Sequence, residues 1–166
     1  HLLQRIYIPR ATFTVSAVAV SLVNLILSMV PLGVVMILQE APFTLSLLAL
    51  PFAVVILFCF SLGVSLIVST AAIYFPDVIH IYEVLLVIIM YATPIMYPKE
   101  IIPEQWRFLI NLNPMVHILD LFRQPIFHGR VPSTGEFLVS TAIAVVVLVG
   151  GWLVFTQKAN DYAYRI

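Results

Sequence analysis

Residues 91–114 read YATPIMYPKEIIPEQWRFLINLNP, and how this stretch is read decides the fold. It carries Pro94, Pro98, Pro103 and Pro114 and a cluster of charges, yet it lies between runs of apolar residues long enough for lipid. The chain around it has 166 residues, 62% of them hydrophobic and only 10% charged. A typical soluble domain is about 25% charged, so the mean hydropathy of +1.09 marks an integral membrane protein. The question is why so greasy a chain breaks its own helical pattern here.

On the N-terminal side, no charge occurs from Ala11 to Gln39, more than the roughly 20 residues that cross a hydrocarbon core of about 30 Å. Asn24, Pro31 and Gly33 interrupt this first span, which is tolerated where neighbouring helices satisfy the freed backbone groups. Glu40, Ala41 and Pro42 predict a tight turn. The next uncharged run, Ala41 to Pro76, would be roughly 50 Å long as one helix, too long for a straight crossing. Pro51 therefore marks a kink or an interfacial lead-in, and the helix is expected to end near Tyr74 because Pro76 disfavours the α region for Phe75. Pro76, Asp77 and Glu83 suit the start of a third helix, which takes in Val78–Tyr82 and the apolar run Val84–Pro98. Lys99 to Gly135 mixes charges with apolar residues and reads as amphipathic or re-entrant. Phe137 to Gln157 is the last span.

The expected fold is thus an all-α integral membrane bundle, with four transmembrane helices and short re-entrant or amphipathic gate helices between the last two. Four crossings put both ends on one side. Arg5, Arg10, Lys158 and Arg165 then face Lys99, Arg107, Arg123 and Arg130 across the membrane, so the positive-inside rule does not orient the chain.

Net charge is zero and the basic residues are scattered, which leaves no stripe for a phosphate backbone and argues against nucleic-acid binding. The lone Cys59 excludes a disulfide framework within the chain. Neither Lys99 nor Lys158 follows a glycine, so no phosphate-binding loop is present, and the common hydrolase, metalloprotease and dinucleotide signatures are absent as well. No catalytic or metal residues are assigned. Asp77, His80 and Glu83 share about a third of a helix circumference and are conceivable as a metal site or proton relay, but a polar helix start among headgroups explains them more simply. His117 and Asp120, with Arg123 and His128 nearby, fit a water-facing amphipathic helix better than an acid/base set. Tyr91, Tyr97, Trp106, Phe108, Phe122 and Phe127 read as an interfacial aromatic belt, or as a lining on which sugar rings stack.

Three motifs in order carry a resemblance: Thr93–Pro98 (TPIMYP) at the end of a span, the pair Asn113–Pro114, and Arg123 about nine residues on. With LLQRIYIPRATF at the start and FTQKANDYAYRI at the end, the chain resembles the permease subunits of ABC-2 type exporters, in particular those of O-antigen, capsular polysaccharide or teichoic acid. The resemblance covers essentially residues 1–166 as one transmembrane domain. Such permeases have six spans, so the chain is expected to hold the equivalents of spans three to six and to be incomplete at its N-terminus. Tyr74, Phe75, Pro76 and Asp77 stand where the family often has Y-F-R-D, so no role of that arginine carries over.

The resemblance implies a bacterial cytoplasmic (inner) membrane location with both ends of the segment cytoplasmic and Lys99–Gly135 outside. It implies coupling to the ATPase through Arg5, Tyr7, Pro9 and Arg10. The gate or channel would involve Thr93, Pro94, Tyr97, Pro98, Trp106, Phe108, Asn113, Pro114 and Arg123. The implied partners are a separate ABC ATPase that binds the ATP and Mg, a second permease copy, membrane lipids and a lipid-linked glycan; no cofactor is expected on this chain. A permease for a small amphiphile or drug is the alternative, and an ion-coupled carrier or membrane enzyme a third reading.

Overall fold

The computed structural model describes residues 11–41, 44–95, 97, 101 and 103–158. Its helices are α1 (Ala11–Leu38), α2 (Leu50–Tyr74), α3 (Val78–Ala92), α4 (Glu104–Asn111), α5 (Pro114–Phe127) and α6 (Thr134–Lys158), with a 3₁₀ turn at Leu45–Ala49 leading into α2. No strand occurs among the described residues. α1, α2 with its 3₁₀ lead-in, and α6 are each long and apolar enough to cross a membrane. The chain is an all-α membrane bundle, as its composition predicts.

The termini of these helices follow local chemistry. α1 closes with Glu40 in the left-handed region (φ 52°). The Ala41 N–H then reaches the Met36 carbonyl at 3.0 Å and the Glu40 N–H reaches Ile37 at 3.3 Å. Those are the two bonds of a Schellman turn, which more often uses glycine. Pro51 occupies the first turn of α2, so it starts the helix and does not kink it. Before α6, Ser133 and Glu136 form a reciprocal capping box: Oγ accepts from the Glu136 N–H at 3.3 Å, and Oε2 accepts from the Ser133 N–H at 2.7 Å.

α2 is the hub, packing on α1, α3, α5 and α6, most extensively on α6. A methyl group placed on Gly63 would lie 2.5 Å from the Val147 carbonyl oxygen, and one on Gly151 would strike the Gly63 carbonyl. Two glycines therefore let the backbones touch, a close crossing of the kind membrane helices use where lipid gives no hydrophobic drive to pack. Farther along, Leu66 clusters with Phe155 and the Lys158 ammonium sits 5.6 Å from the Tyr74 ring centroid. Contacts that rise together in number on both helices mean that α2 and α6 run parallel.

That parallel register fixes the topology. After α2 the chain must return across the membrane before α6 can begin, and among the described helices α3 is the one placed to do so. α3 has 15 residues, about 22 Å, shorter than the hydrocarbon core, and none of its residues is buried. It ends at Ala92, six residues earlier than the apolar run through Pro98 predicts. α1 packs on α2 across a short connection, with Val18, Ser21, Leu22 and Leu25 facing Leu57, Phe58 and Ser61, so it runs antiparallel to α2. α5 rests on the 3₁₀ turn, α2 and α6, and Ile118 and Leu121 join Ala53, Ile56 and Ala144 in the larger core cluster.

Candidate functional site

The break after α3 begins with proline. Pro94 pushes Thr93 out of the α region, and Thr93 is extended (φ −91°, ψ 123°) while its N–H still closes the last turn on Ile89 at 2.7 Å. The Ile95 N–H folds back onto the Thr93 carbonyl at 2.7 Å, a three-residue turn centred on Pro94. Thr93 and Pro94 are almost completely buried, although the helix before them buries nothing. These two residues are where the end of α3 docks into the bundle.

A helix end leaves carbonyls without partners, and hydrocarbon, where it is the neighbour, supplies none. Three side chains close this end. The Tyr97 hydroxyl donates to the Tyr91 carbonyl at 2.7 Å. Arg123 Nη2, on α5, donates to the carbonyls of Pro94 and Ile95, the second at 3.1 Å. Asn113 Nδ2 donates to Thr93 Oγ1 at 2.9 Å. The same Asn113 caps α5 by accepting from the Met115 N–H at 3.0 Å, and Pro114 fills the first position of that helix. Residues apart in sequence by up to 29 positions thus form one latch between the end of α3 and α5.

Of the residues predicted from sequence to form the gate, the latch joins Thr93, Pro94, Tyr97, Asn113, Pro114 and Arg123. Trp106 and Phe108 stand apart on α4, 53% and 73% exposed. Pro98 and the four coupling residues Arg5, Tyr7, Pro9 and Arg10 lie outside the described residues. Two contributors were not read from sequence. His117 Nε2–H donates to the Asn111 carbonyl at 2.8 Å, closing the end of α4, and Ser140 Oγ, on α6, donates to the His117 carbonyl at 3.1 Å. Neither sits in a recognisable pattern; both partnerships exist only once α4, α5 and α6 are in place. His117 is therefore a helix-end donor.

The other titratable cluster is superficial. His80 and Glu83 approach to 3.8 Å with side chains 80% and 68% exposed, and among the described residues no group of three His, Cys, Asp or Glu side chains is arranged to hold a metal. The latch itself forms one end of an open groove of about 650 Å³ between α2 and α3, lined mainly by apolar side chains.

Comparison with known proteins gives these features a family. The profile of the ABC-2 type transporter family matches residues 1–127, and the chain belongs to that family. Among individual proteins, it is similar to the O-antigen export system permease protein RfbA of Myxococcus xanthus. The two are 28% identical over 94 residues, 55% of this chain and 36% of RfbA. The aligned part thus spans about a third of that relative. No solved structure matches.

Proposed function

We propose that this chain is part of the permease subunit of an ATP-driven exporter that moves a lipid-linked polysaccharide or polyol phosphate across a bacterial cytoplasmic membrane. The observation that carries the reading is the latch. A membrane helix is stopped short by proline and its freed backbone is satisfied by α5, which is how non-helical backbone is kept at membrane depth beside a water-filled path. The similarity to an O-antigen permease supports the choice of substrate class.

In this reading two permease copies enclose the channel, and a separate ATPase binds ATP and Mg. Closure of the ATPases displaces the segment containing Arg5, Tyr7, Pro9 and Arg10 on the cytoplasmic face. Rigid α1 and α2 transmit the movement, and the α3–α5 latch yields to open the path. Trp106 and Phe108 face the substrate as it leaves. Bond making and breaking are confined to the ATPase.

Two measurements test this. The permease should co-purify with an ABC ATPase, and Arg5→Glu with Arg10→Glu should weaken that association at least tenfold. Tyr97→Ala and Phe108→Ala should reduce glycan at the cell surface while membrane protein level holds. Transport that persists without any ATPase would overturn the exporter reading, and parallel loss of protein and export in the two alanine variants would reduce these aromatics to packing.

A further inference from the structure

Several hydroxyls within the spanning helices are absorbed by their own backbone, as suits a setting where no water is at hand. Ser21 donates to Ala17 at 3.1 Å, Ser28 to Leu25 at 2.7 Å, Thr70 to Leu66 at 2.7 Å and Thr156 to Trp152 at 2.9 Å. Ser61 and Ser65 in the middle of α2 make no such bond and line one groove. One helical turn apart and so on one face, they have no hydrogen-bond partner among the described residues, and neither has the Tyr82 hydroxyl on α3. All three line the groove of about 650 Å³ between α2 and α3, whose far end is the Thr93–Asn113 pair.

The lining restricts what can lie there. Phe60 adds an aromatic wall, and no Asp, Glu, Lys, Arg or His lines the groove. An acyl chain would leave the Tyr82 hydroxyl unsatisfied in a low-dielectric setting, at a cost in free energy. A phosphate would meet no cation to pair with. A sugar unit answers both demands: its C–H face lies on an aromatic ring, and its hydroxyls exchange hydrogen bonds with serine and tyrosine.

We infer that the α2–α3 groove holds uncharged, hydroxyl-bearing sugar units, with Ser61, Ser65 and Tyr82 as their hydrogen-bond partners and Phe60 as the stacking surface. The inference rests on the exporter reading and deepens it, because it gives the groove to neutral glycan and keeps the phosphate of the carrier or of a polyol phosphate out of it.

The test uses the full permease with its ATPase in cells, in a Cys59→Ala background, with Ser61→Cys, Ser65→Cys and the lipid-facing control Val55→Cys. In cells that lack the glycan, an anionic methanethiosulfonate should label both groove positions at least tenfold faster than position 55. In cells that make the glycan, with the ATPase stalled by a substitution that blocks hydrolysis, labelling of the groove should fall at least fivefold. Slow labelling in both cell types would mean that lipid, another helix or a second copy fills the groove, and equal fast labelling in both would mean that it holds only water; either overturns the inference. The paired Ser61→Ala and Ser65→Ala variant, which keeps the packing, should export at least fivefold less glycan at equal protein level, and unchanged export would also overturn it. Export by the unsubstituted protein, measured alongside, fails only if the exporter reading is itself wrong.

Discussion

Asn113 does two jobs with one side chain, and they can be separated. Its Oδ1 caps α5 and its Nδ2 reaches Thr93. Asn113→Ser should keep the cap and lose only the bond to Thr93, at a cost of about 1 kcal/mol. In a cycle with Thr93→Val that cost should vanish, because the partner is already gone; thermal unfolding in detergent reads it. Arg123→Ala should cost more, about 2 kcal/mol, since two carbonyls lose a charged donor. Arg123→Lys should restore little, because an ammonium cannot offer the planar fork that spans two acceptors. If Arg123→Ala melts with the unsubstituted protein, the latch does not hold α3. The sequence announced these residues as a motif, through the order TPIMYP, then Asn-Pro, then Arg. What it did not contain was their meeting, because a hydrogen bond across 29 positions depends on α5 lying against the end of α3.

At the scale of elements, three helix starts or stops were legible because each is written in adjacent residues: the end of α2 before Pro76, the Asn113–Pro114 start of α5, and the Pro51 start of α2. The length of α3 was not. Apolar residues continue from Ala92 to Pro98, and hydropathy cannot distinguish helix from an extended docking segment of the same composition. Pro94 supplied the local signal, and its effect on Thr93 outweighs the apolar run. The α2–α6 crossing was equally hidden, since Gly63 and Gly151 look no different in sequence from Gly33. They differ in surroundings. Gly33 has nothing within 4 Å of a prospective methyl, whereas Gly63 has backbone at 2.5 Å. Gly33→Ala should be neutral or stabilise α1 by up to about 1 kcal/mol. Gly63→Ala should force the helices apart and cost about 2 kcal/mol or more. Equal melting temperatures for the two variants would show that the helices do not cross at Gly63.

For the whole molecule, the parallel run of α2 and α6 turns an ambiguous charge count into a definite arrangement. With equal numbers of basic residues on the two sides, the positive-inside rule is silent, but two parallel spans flanking α3 require α3 to cross. Asp77→Cys and Ser133→Cys, in a background without Cys59, should therefore react with an impermeant thiol reagent from opposite faces of the membrane. Reaction from the same face would mean that α3 does not span. Composition alone gave the membrane class, and the ordered motifs gave the family. The groove with its unpaired serines was out of reach, because a serine in an apolar run reads the same whether it bonds its own helix or faces a cavity.

The latch has one more consequence, a genetic one. Both acceptors of Arg123 are main-chain oxygens, and every amino acid at positions 94 and 95 presents the same oxygen. The contact therefore has a codon on one side only. A selection for revertants of Arg123→Ala will not yield a charge-swapped pair, as it would for a salt bridge. It should return codon 123 itself, or changes that rebuild the α3–α5 seam by other means.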